Sequence, residues 1–387
     1  MFDMGCDAYS RPPAFKCWPT EPETLGGKTA LLDADLLPYY VGHTIKEFEL
    51  FKAMDRVKSG ECKTLDDTPE CKDAKDQVDW TINHWISSAG CVAAKLFLTS
   101  SSDNYRLDVA IQEAYKGERN PEKPPFFYEL KNHIVNAHGG ILAVGNEADD
   151  LIVTALYDQH YDLEAEGVEI GSEAHKQFST LIAISTDKDL RMAAGWHFNP
   201  VEQKLTWSDS MGELTPKWKE HDVVAYEFWP LHNGEPVPPD SQLPKDTFMR
   251  GAKKGQLKTK RVKVGTRKSQ RIDKLKGTGL KFFYAQILMG DSVDCYSGCK
   301  GIGATKAYEL LDSCRTEEEL YAKVLGQYIE TYGDSCVVHN YRGGKRVLSA
   351  EQLLTEQGRL AYMQRRTGDV WNQQVDLPLG TDKEAWQ

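Results

Sequence analysis

The chain has 387 residues, enough for one large or two ordinary domains. Hydrophobic residues make up 40% and charged residues 27%, which is typical of a soluble globular protein, and the net charge of −11 argues on average against a nucleic-acid partner. No run approaches the ~18 apolar residues of a membrane span, and the start carries no signal-peptide pattern, so we expect no membrane partner and a cytoplasmic location.

The nine cysteines are odd in number and irregularly spaced, which is typical of reduced thiols in a cytoplasm. Cys62 and Cys71, or Cys295 and Cys299, could be imagined as metal ligands. Because no CxxC pair or histidine at zinc spacing accompanies them, we interpret them as ordinary thiols.

The first half of the chain alternates strands and helices after a loosely patterned extension, residues 1–27. The alternation predicts an α/β fold with a mostly parallel central sheet flanked by helices. Polar stretches at 56–76 and 99–125 are predicted to be connections. The predicted strands are 28–33, 92–98, 141–144 (buried) and 181–184, and the predicted helices start at Leu36, cover Val78 to Ala89 and 126–135, and follow Asp149.

The second half differs in pattern. A hairpin is predicted at 197–208, an irregular proline-rich stretch at 229–245, and helices at 282–288, after Gly303, at 317–325 and at 350–365. Between Arg250 and Lys281 there are 13 basic residues, and the one acid is Asp273. This basic segment is interpreted as a non-specific contact to duplex DNA or as a disordered, solvated linker.

Acidic residues follow three of the predicted strands. Because the carboxyl ends of parallel strands meet at one edge of a sheet, these acids are expected to converge there. Each acid alone could be a solvated or capping side chain, but a buried group of them needs compensation, and oxygen ligands suit Mg²⁺ or Mn²⁺. The candidate carboxylates are Asp33, Asp35, Glu147, Asp149, Asp150, Asp187, Asp189, Asp291 and Asp294. Two ions held there could activate water and stabilise a leaving oxygen on phosphorus.

Two further segments suit nucleic acid. Gly301 and Gly303 precede a helix, and such a turn can grip a phosphate through backbone N–H groups, although it is also an ordinary helix–helix turn. If this segment is helical, Lys116 and Arg119 lie on one face beside Tyr115, with cations for phosphate and a ring for base stacking. A solvated basic loop is the alternative.

Taken in order, these motifs resemble the flap endonucleases, the structure-specific 5′ nucleases that include bacteriophage 5′→3′ exonucleases and the 5′-nuclease domains of bacterial DNA polymerases. The motifs are LDAD (32–35), YKGER (115–119), EADD (147–150), STDKD (185–189) and GDSVD (290–294). Residues 298–306 look like the family's helix-three-turn-helix motif, and 356–371 look most like the phage exonucleases. The resemblance covers about residues 28–307.

The resemblance implies a role for each matching residue. Asp33, Glu147 and Asp149 match ligands of a first metal ion, and Asp187, Asp189, Asp291 and Asp294 match ligands of a second. Asp150 matches an acid that orients ligands, and Lys116 and Arg119 match catalytic cations that draw in the scissile phosphate beside Tyr115. Gly301, Gly303 and Lys306 match the contact to duplex DNA, where the family often holds K⁺.

The resemblance further implies a PIN-like core (28–209) with a helical arch near 103–124, an insertion (210–279) and a helical C-terminal region (280–387). It implies a Mg²⁺-dependent 5′→3′ exonuclease with flap endonuclease activity on double-stranded DNA, working in phage replication, in a host cytoplasm and with replication proteins. A strict flap endonuclease and a catalytically inactive DNA-binding protein are the alternatives.

The sequence also departs from the family pattern. Many members carry an acid directly after the second strand, where this chain has threonine and serines at 99–102; Asp103 comes slightly late. Glu118 stands where many members have asparagine. Asp35 is not general in the family and is interpreted as a helix cap.

Overall fold

The computed structural model describes residues 27–118 and 121–386, without the side chains of 101–103. The predicted N-terminal extension therefore lies outside the described residues apart from Gly27, and so do Arg119 and the side chain of Asp103.

A six-stranded sheet forms the centre of the first half, in the order β3-β2-β1-β4-β5-β6. The pairs from β3 to β5 are parallel, and β6 runs antiparallel to β5, as the predicted hairpin requires. The predicted α/β class with a mostly parallel sheet is thus confirmed. The strands are β1 (Lys28–Asp33), β2 (Cys91–Asn104), β3 (Ile141–Gly145), β4 (Leu181–Ile184), β5 (Gly195–Asn199) and β6 (Lys204–Ser208).

Helices cover both faces of this sheet. The helices before the ribbon described below are α1 (Leu36–Gly42), α2 (Glu47–Lys58), α3 (Pro69–Ser88), α4 (Tyr105–Val109), α5 (Phe127–His138), α6 (Ala148–Ala165) and α7 (Glu173–Phe178). On one face α1, α3 and α5 bury apolar side chains against Leu32 and Ile184, whereas on the other face α6 packs against Leu31 and Ala183. The alternation of side chains along β1 produces this division.

Two predictions in this half are wrong in detail. β3 is not buried, since Ile141, Leu142 and Val144 are 43%, 44% and 75% exposed at the edge of the sheet. The connection predicted at 56–76 is shorter, because α3 already begins at Pro69, where the hydroxyl of Thr68 accepts the Cys71 amide at 3.3 Å. Threonine before an N-terminal proline is a strong start signal that the polarity of the stretch masked.

A long antiparallel ribbon occupies the predicted insertion. β7 (Leu214–His232) pairs with β9 (Thr259–Gly277), and the short β8 (Glu235–Pro236) pairs with the end of β7. The register shifts at two bulges, one beside Lys217 and one beside Ala225. The basic segment is therefore mostly an ordered strand, and the linker interpretation is wrong for β9.

The C-terminal region is mainly helical, as predicted. Its helices are α8 (Gly279–Met289), α9 (Ala304–Leu311), α10 (Glu317–Tyr332) and α11 (Ala350–Ala361). One hairpin was missed, formed by β10 (Ser335–His339) and β11 (Lys345–Ser349). These elements share a large core with Leu214, Ile272 and Leu275 of the ribbon.

The seven cysteines in the described part of the chain are all free. Among the described helices, none has the length and apolar character needed to cross a membrane.

Candidate metal centre

The carboxyl end of the parallel sheet brings together acids from three strands. Asp33 is the last residue of β1 and is buried, and its carboxylate accepts a hydrogen bond of 2.9 Å from the hydroxyl of Ser185, just after β4. The same hydroxyl accepts the amide of Asp187 at 3.0 Å. Because β1 and β4 are parallel neighbours, these acids meet as predicted.

Burial and mutual repulsion raise the pKa values of two acids at this edge. Burial, then the charges of Asp35 and Asp187, raise the pKa of Asp33 to about 7. Burial, then the charges of Asp33, Asp187 and Glu147, hold the pKa of Asp149 well above its ordinary value. Among the described residues, Oδ1 of Asp149 is a buried oxygen without a hydrogen-bond partner. Such an atom is costly unless a cation or a donor meets it.

A second group of acids adjoins the first through Asp187. The carboxylate of Asp187 accepts a hydrogen bond of 2.9 Å from the backbone amide of Asp189. The carboxylate of Asp189 accepts one of 2.6 Å from the side-chain amide of Gln286. Burial, then the charge of Asp187, raises the pKa of Asp189 to about 7, and Asp291 adds to this effect. α8 thus anchors the acids that follow β4.

Asp291 reaches this group through a tight turn after α8. Gly290 has a φ of +73°, and a Cβ there would collide with the backbone of Tyr296 and Ser297. The amino group of Lys188 lies 2.8 Å from the Asp291 carboxylate and 3.8 Å from that of Asp189. Although burial opposes it, this pairing lowers the pKa of Asp291. Lys188 was not assigned a role from the sequence.

Asp294 lies beside Glu147 rather than with the second group alone. The hydroxyl of Tyr115 is 3.0 Å from Glu147 and 3.4 Å from Asp294, and it donates towards both. Lys116 forms an ion pair with Glu147, and its amino group is 3.9 Å from Asp294. The contacts of Tyr115 and Lys116 therefore place Asp294 near Glu147 of the first group.

The prediction for the segment around Tyr115 is wrong in two respects. Residues 114–117 form a turn, and Lys116 has a φ of +54°, so Lys116 does not project from a helix. Tyr115 is 5% exposed, and its ring packs in the C-terminal core, so it offers no face to a base. Between 103 and 124, the described helix is α4 alone.

Asp150 has a partner that the sequence did not reveal. The two terminal nitrogens of the Arg106 guanidinium donate to its carboxylate, at 2.7 and 2.8 Å, and both side chains are buried. Asp150 also accepts the amides of Glu147 and Gln364, each at 3.0 Å. The expected orienting role thus has a structural basis, because the guanidinium also lies 3.5 Å from Glu147.

Asp35 contacts β2 at Thr99. Asp35 precedes α1 but makes no side-chain capping bond; its carboxylate accepts the amide of Thr99 at 2.8 Å and lies 3.6 Å from the Lys131 amino group. The capping interpretation is therefore wrong. The hydroxyl of Thr99 accepts the Ala148 amide at 3.0 Å, so Thr99 itself positions the start of α6.

The composition of the site suits hard divalent cations. All seven predicted ligands are carboxylates, and two amino groups, from Lys116 and Lys188, lie among them. In the described part of the chain, no three of these acids bring ligand oxygens within 4.8 Å of one another. The unpartnered Asp149 oxygen and the repulsion at Asp33 nevertheless fit a site completed by positive charge.

A different group does have compact ligand geometry. Nε2 of His133 and Nε2 of His138 both lie 2.6 Å from Oδ1 of Asp79, between α3 and α5. This group is in the helical layer opposite α6 and was not predicted from the sequence.

The turn before α9 has free space around its two glycines. Gly301 has a φ of +80°, and a Cβ on Gly301 or Gly303 would meet nothing within 4 Å. The amide of Gly298 is held by Gln357 at 2.8 Å, and that of Lys300 by the Tyr332 hydroxyl at 2.9 Å. The predicted turn is thus present and accessible to a ligand.

No protein-family model and no curated protein matches this chain. Similar solved structures include the bacteriophage T5 5′-exonuclease with bound zinc, 14% identical with a TM-score of 0.38, over 79% of this chain and 90% of that one. They also include a T5 flap endonuclease complex with DNA and metal ions, 12% identical with a TM-score of 0.38, over 86% and 98%.

Proposed function

We propose that this protein is a Mg²⁺-dependent 5′ nuclease that hydrolyses phosphodiester bonds of duplex DNA, as a 5′→3′ exonuclease that also cuts 5′ flaps. The observation that carries the proposal is the group of mutually repelling carboxylates at the carboxyl edge of the sheet, with the buried, unpartnered Oδ1 of Asp149 among them. Phosphoryl transfer needs positive charge on both sides of the phosphorus, and such a group is suited to supply it by binding cations.

The residues divide into two groups of metal ligands. Asp33, Glu147 and Asp149 would hold one ion, and Asp187, Asp189 and Asp291 the other; Asp294, beside Glu147, would face the first. When bound, two Mg²⁺ or Mn²⁺ ions would activate water and neutralise the departing 3′ oxygen. The hydroxyl of Tyr115 and the Arg106–Asp150 pair hold Glu147 in place.

The remaining residues serve the substrate. We propose that Lys116, which pairs with Glu147 and has a side chain 18% exposed, meets the scissile phosphate, and that Arg119 does the same. Gly301, Gly303 and Lys306 would contact the duplex backbone, with K⁺ as the ion that such a turn could share with a phosphate. Asp35 would supply a carboxylate on the side of the site where the chain has Thr99 instead of an acid. Released products would carry a 5′ phosphate, as suits primer removal in phage replication.

The test is a substrate panel in Mg²⁺, Mn²⁺ and Ca²⁺ with Asp149→Asn, Asp187→Asn and the wild type. Asp55→Asn is the matched control, because Asp55 is 80% exposed on α2. We expect both site variants to lose cleavage in Mg²⁺ by several orders of magnitude while keeping DNA binding, and the control to cleave normally.

A 5′-labelled flap beside a blunt duplex separates the modes of action. Short products from both substrates support the proposal, whereas cutting of the flap alone indicates a strict flap endonuclease. Undiminished cleavage by both site variants would overturn the nuclease assignment, and a wild type that binds DNA but cuts in no metal would identify an inactive DNA-binding protein.

A further inference from the structure

The ribbon formed by β7 and β9 has two chemically different faces. Between its two bulges β7 residues 219, 221, 223 and 225 lie opposite β9 residues 271, 269, 267 and 265. Because side chains alternate along a strand, these positions share one face, and it continues towards the base of the ribbon through Lys217, Lys274 and Lys276. We call this the basic face.

The basic face carries six exposed cations. They are Lys217, Lys219, Arg267, Arg271, Lys274 and Lys276. In the described part of the chain no ion pair is formed by any of them. Of the acids adjacent to them in sequence, Asp273 is the extra residue of the bulge beside Lys217, and Glu220 lies on the opposite face. A row of cations that the fold leaves unpaired is a binding surface for a polyanion.

The opposite face of the ribbon packs against the C-terminal core at its base and carries acids beside a lysine further out. At the base, Leu214, Ile272 and Leu275 are buried in the C-terminal core and anchor the ribbon. Between the two bulges, the amino group of Lys268 lies 2.8 Å from Asp222 and 3.7 Å from Glu220, so the cation of this face is matched within the ribbon. Over the same length, the cations of the basic face are unpaired.

The basic face begins beside the turn at 301–303. The amide of Ile272 donates to the hydroxyl of Thr305 at 3.0 Å, which fixes the ribbon against α9. An open cavity of about 350 Å³ lies at this junction, lined by Arg271, Ile272, Asp273 and residues 303–306. A phosphate backbone at the turn would thus lie next to Arg271.

The ribbon is also long enough to follow a duplex. Its two strands are matched over 17 residue pairs, roughly 55 Å at about 3.3 Å per residue. One turn of B-DNA rises about 34 Å, and its major groove admits a two-stranded β-ribbon. The cations are spread over the inner part of this length, where several successive phosphates would be in reach.

We propose that the basic face is a second binding site for duplex DNA, which grips the sugar-phosphate backbone of the same double helix that lies at the turn 301–303. The inference rests on the proposed function for its substrate class. It adds that the ribbon, absent from the predicted nuclease core, supplies sequence-independent affinity. Duplex is favoured over a single strand because the exposed rings of the ribbon, Trp218, Tyr226 and Phe228, lie on the opposite face, and the ring of His221 on the basic face is half-buried.

The test compares two variants with equal loss of charge. Lys217→Gln with Lys219→Gln removes two lysines from the basic face, and Lys263→Gln with Lys268→Gln removes two from the opposite face. Binding to a blunt 40-base-pair duplex is measured by fluorescence anisotropy at increasing KCl, in Ca²⁺ and without Mg²⁺. The slope of log K against log salt is negative. We expect its magnitude to decrease by about 2 for the basic-face variant and to stay unchanged for the other.

The outcomes separate this inference from the nuclease proposal. An unchanged slope in the basic-face variant, or equal losses in both variants, overturns the inference whether or not the protein cleaves DNA. The inference is also overturned if the basic-face variant loses affinity for a single-stranded oligonucleotide but not for the duplex. If the slope falls as expected but no metal supports cleavage, the basic face stands and the nuclease proposal fails.

Discussion

The guanidinium of Arg106 and the carboxylate of Asp150 form a buried, bidentate ion pair, with bonds of 2.7 and 2.8 Å. Arg106 also donates to the carbonyl of Leu360 at 3.1 Å and contacts that of Tyr362, so it ties the C-terminal region to the start of α6. Asp150 also accepts a hydrogen bond from the backbone amide of Glu147. The pair therefore links the C-terminal region to a predicted metal ligand.

Replacing Arg106 by methionine should destabilise the protein by about 3–5 kcal/mol, because it leaves the Asp150 carboxylate buried without its cation. Urea denaturation measures the change. Lys58→Met is the control, since Lys58 and Asp55 form an exposed pair 3.9 Å apart, and it should leave the midpoint unchanged. Equal midpoints for wild type and Arg106→Met would contradict the buried pair.

The metal-free protein should lose stability as the pH rises from 5 to 8. The pKa values of Asp33 and Asp189 are raised to about 7, so in this range the folded state binds more protons than the unfolded state, and stability falls with pH. Thermal denaturation in EDTA should show a falling Tm, and Mg²⁺ should restore it at pH 8.

Asp149→Asn provides the internal check for this pH dependence. Its amide cannot ionise, which removes one source of the repulsion, so the variant should have a higher Tm than the wild type at pH 8 in EDTA and a smaller response to Mg²⁺. A Tm that rises with pH in the wild type would show that the carboxylates do not repel one another in the folded state.

Tyr115→Phe distinguishes support of a metal ligand from base stacking. The variant keeps the buried ring and loses the hydroxyl that bonds Glu147 at 3.0 Å. We expect the Mg²⁺ concentration for half-maximal cleavage to rise several-fold while DNA affinity in Ca²⁺ stays the same. Weaker DNA binding with an unchanged Mg²⁺ requirement would instead favour contact of this residue with DNA.

Asp35→Asn tests whether this acid serves the metal centre. The amide would keep an oxygen for the Thr99 amide but lose the charge that acts on Asp33. Cleavage should then require more Mg²⁺, with little change in Tm. Glu164→Gln on α6 is a control for the loss of one negative charge, and an identical Mg²⁺ titration for both variants would exclude a role of Asp35.

The positions of the acids could be predicted from the sequence because they depend on local pattern. Strands that alternate with helices pair in parallel, so acids placed directly after strands, such as Asp33 and Asp187, must share one edge. The edge position of β3 could not be predicted, because an apolar run of four residues has the same appearance in a central and in an edge strand.

The sequence alone thus determined the sheet, its acidic edge and the glycine turn, since each depends on short-range periodicity and turn chemistry. The tertiary structure decided which side chains complete the site. Arg106 meets Asp150 across 44 residues, Asp35 reaches Thr99 across 64, and Tyr115 turns its ring into the core and its hydroxyl to Glu147. It also decided the charge of the ribbon's faces, because two bulges set the register that places Lys217, Lys219 and Arg271 on one side. Such pairings arise from long-range packing, on which local sequence carries no information.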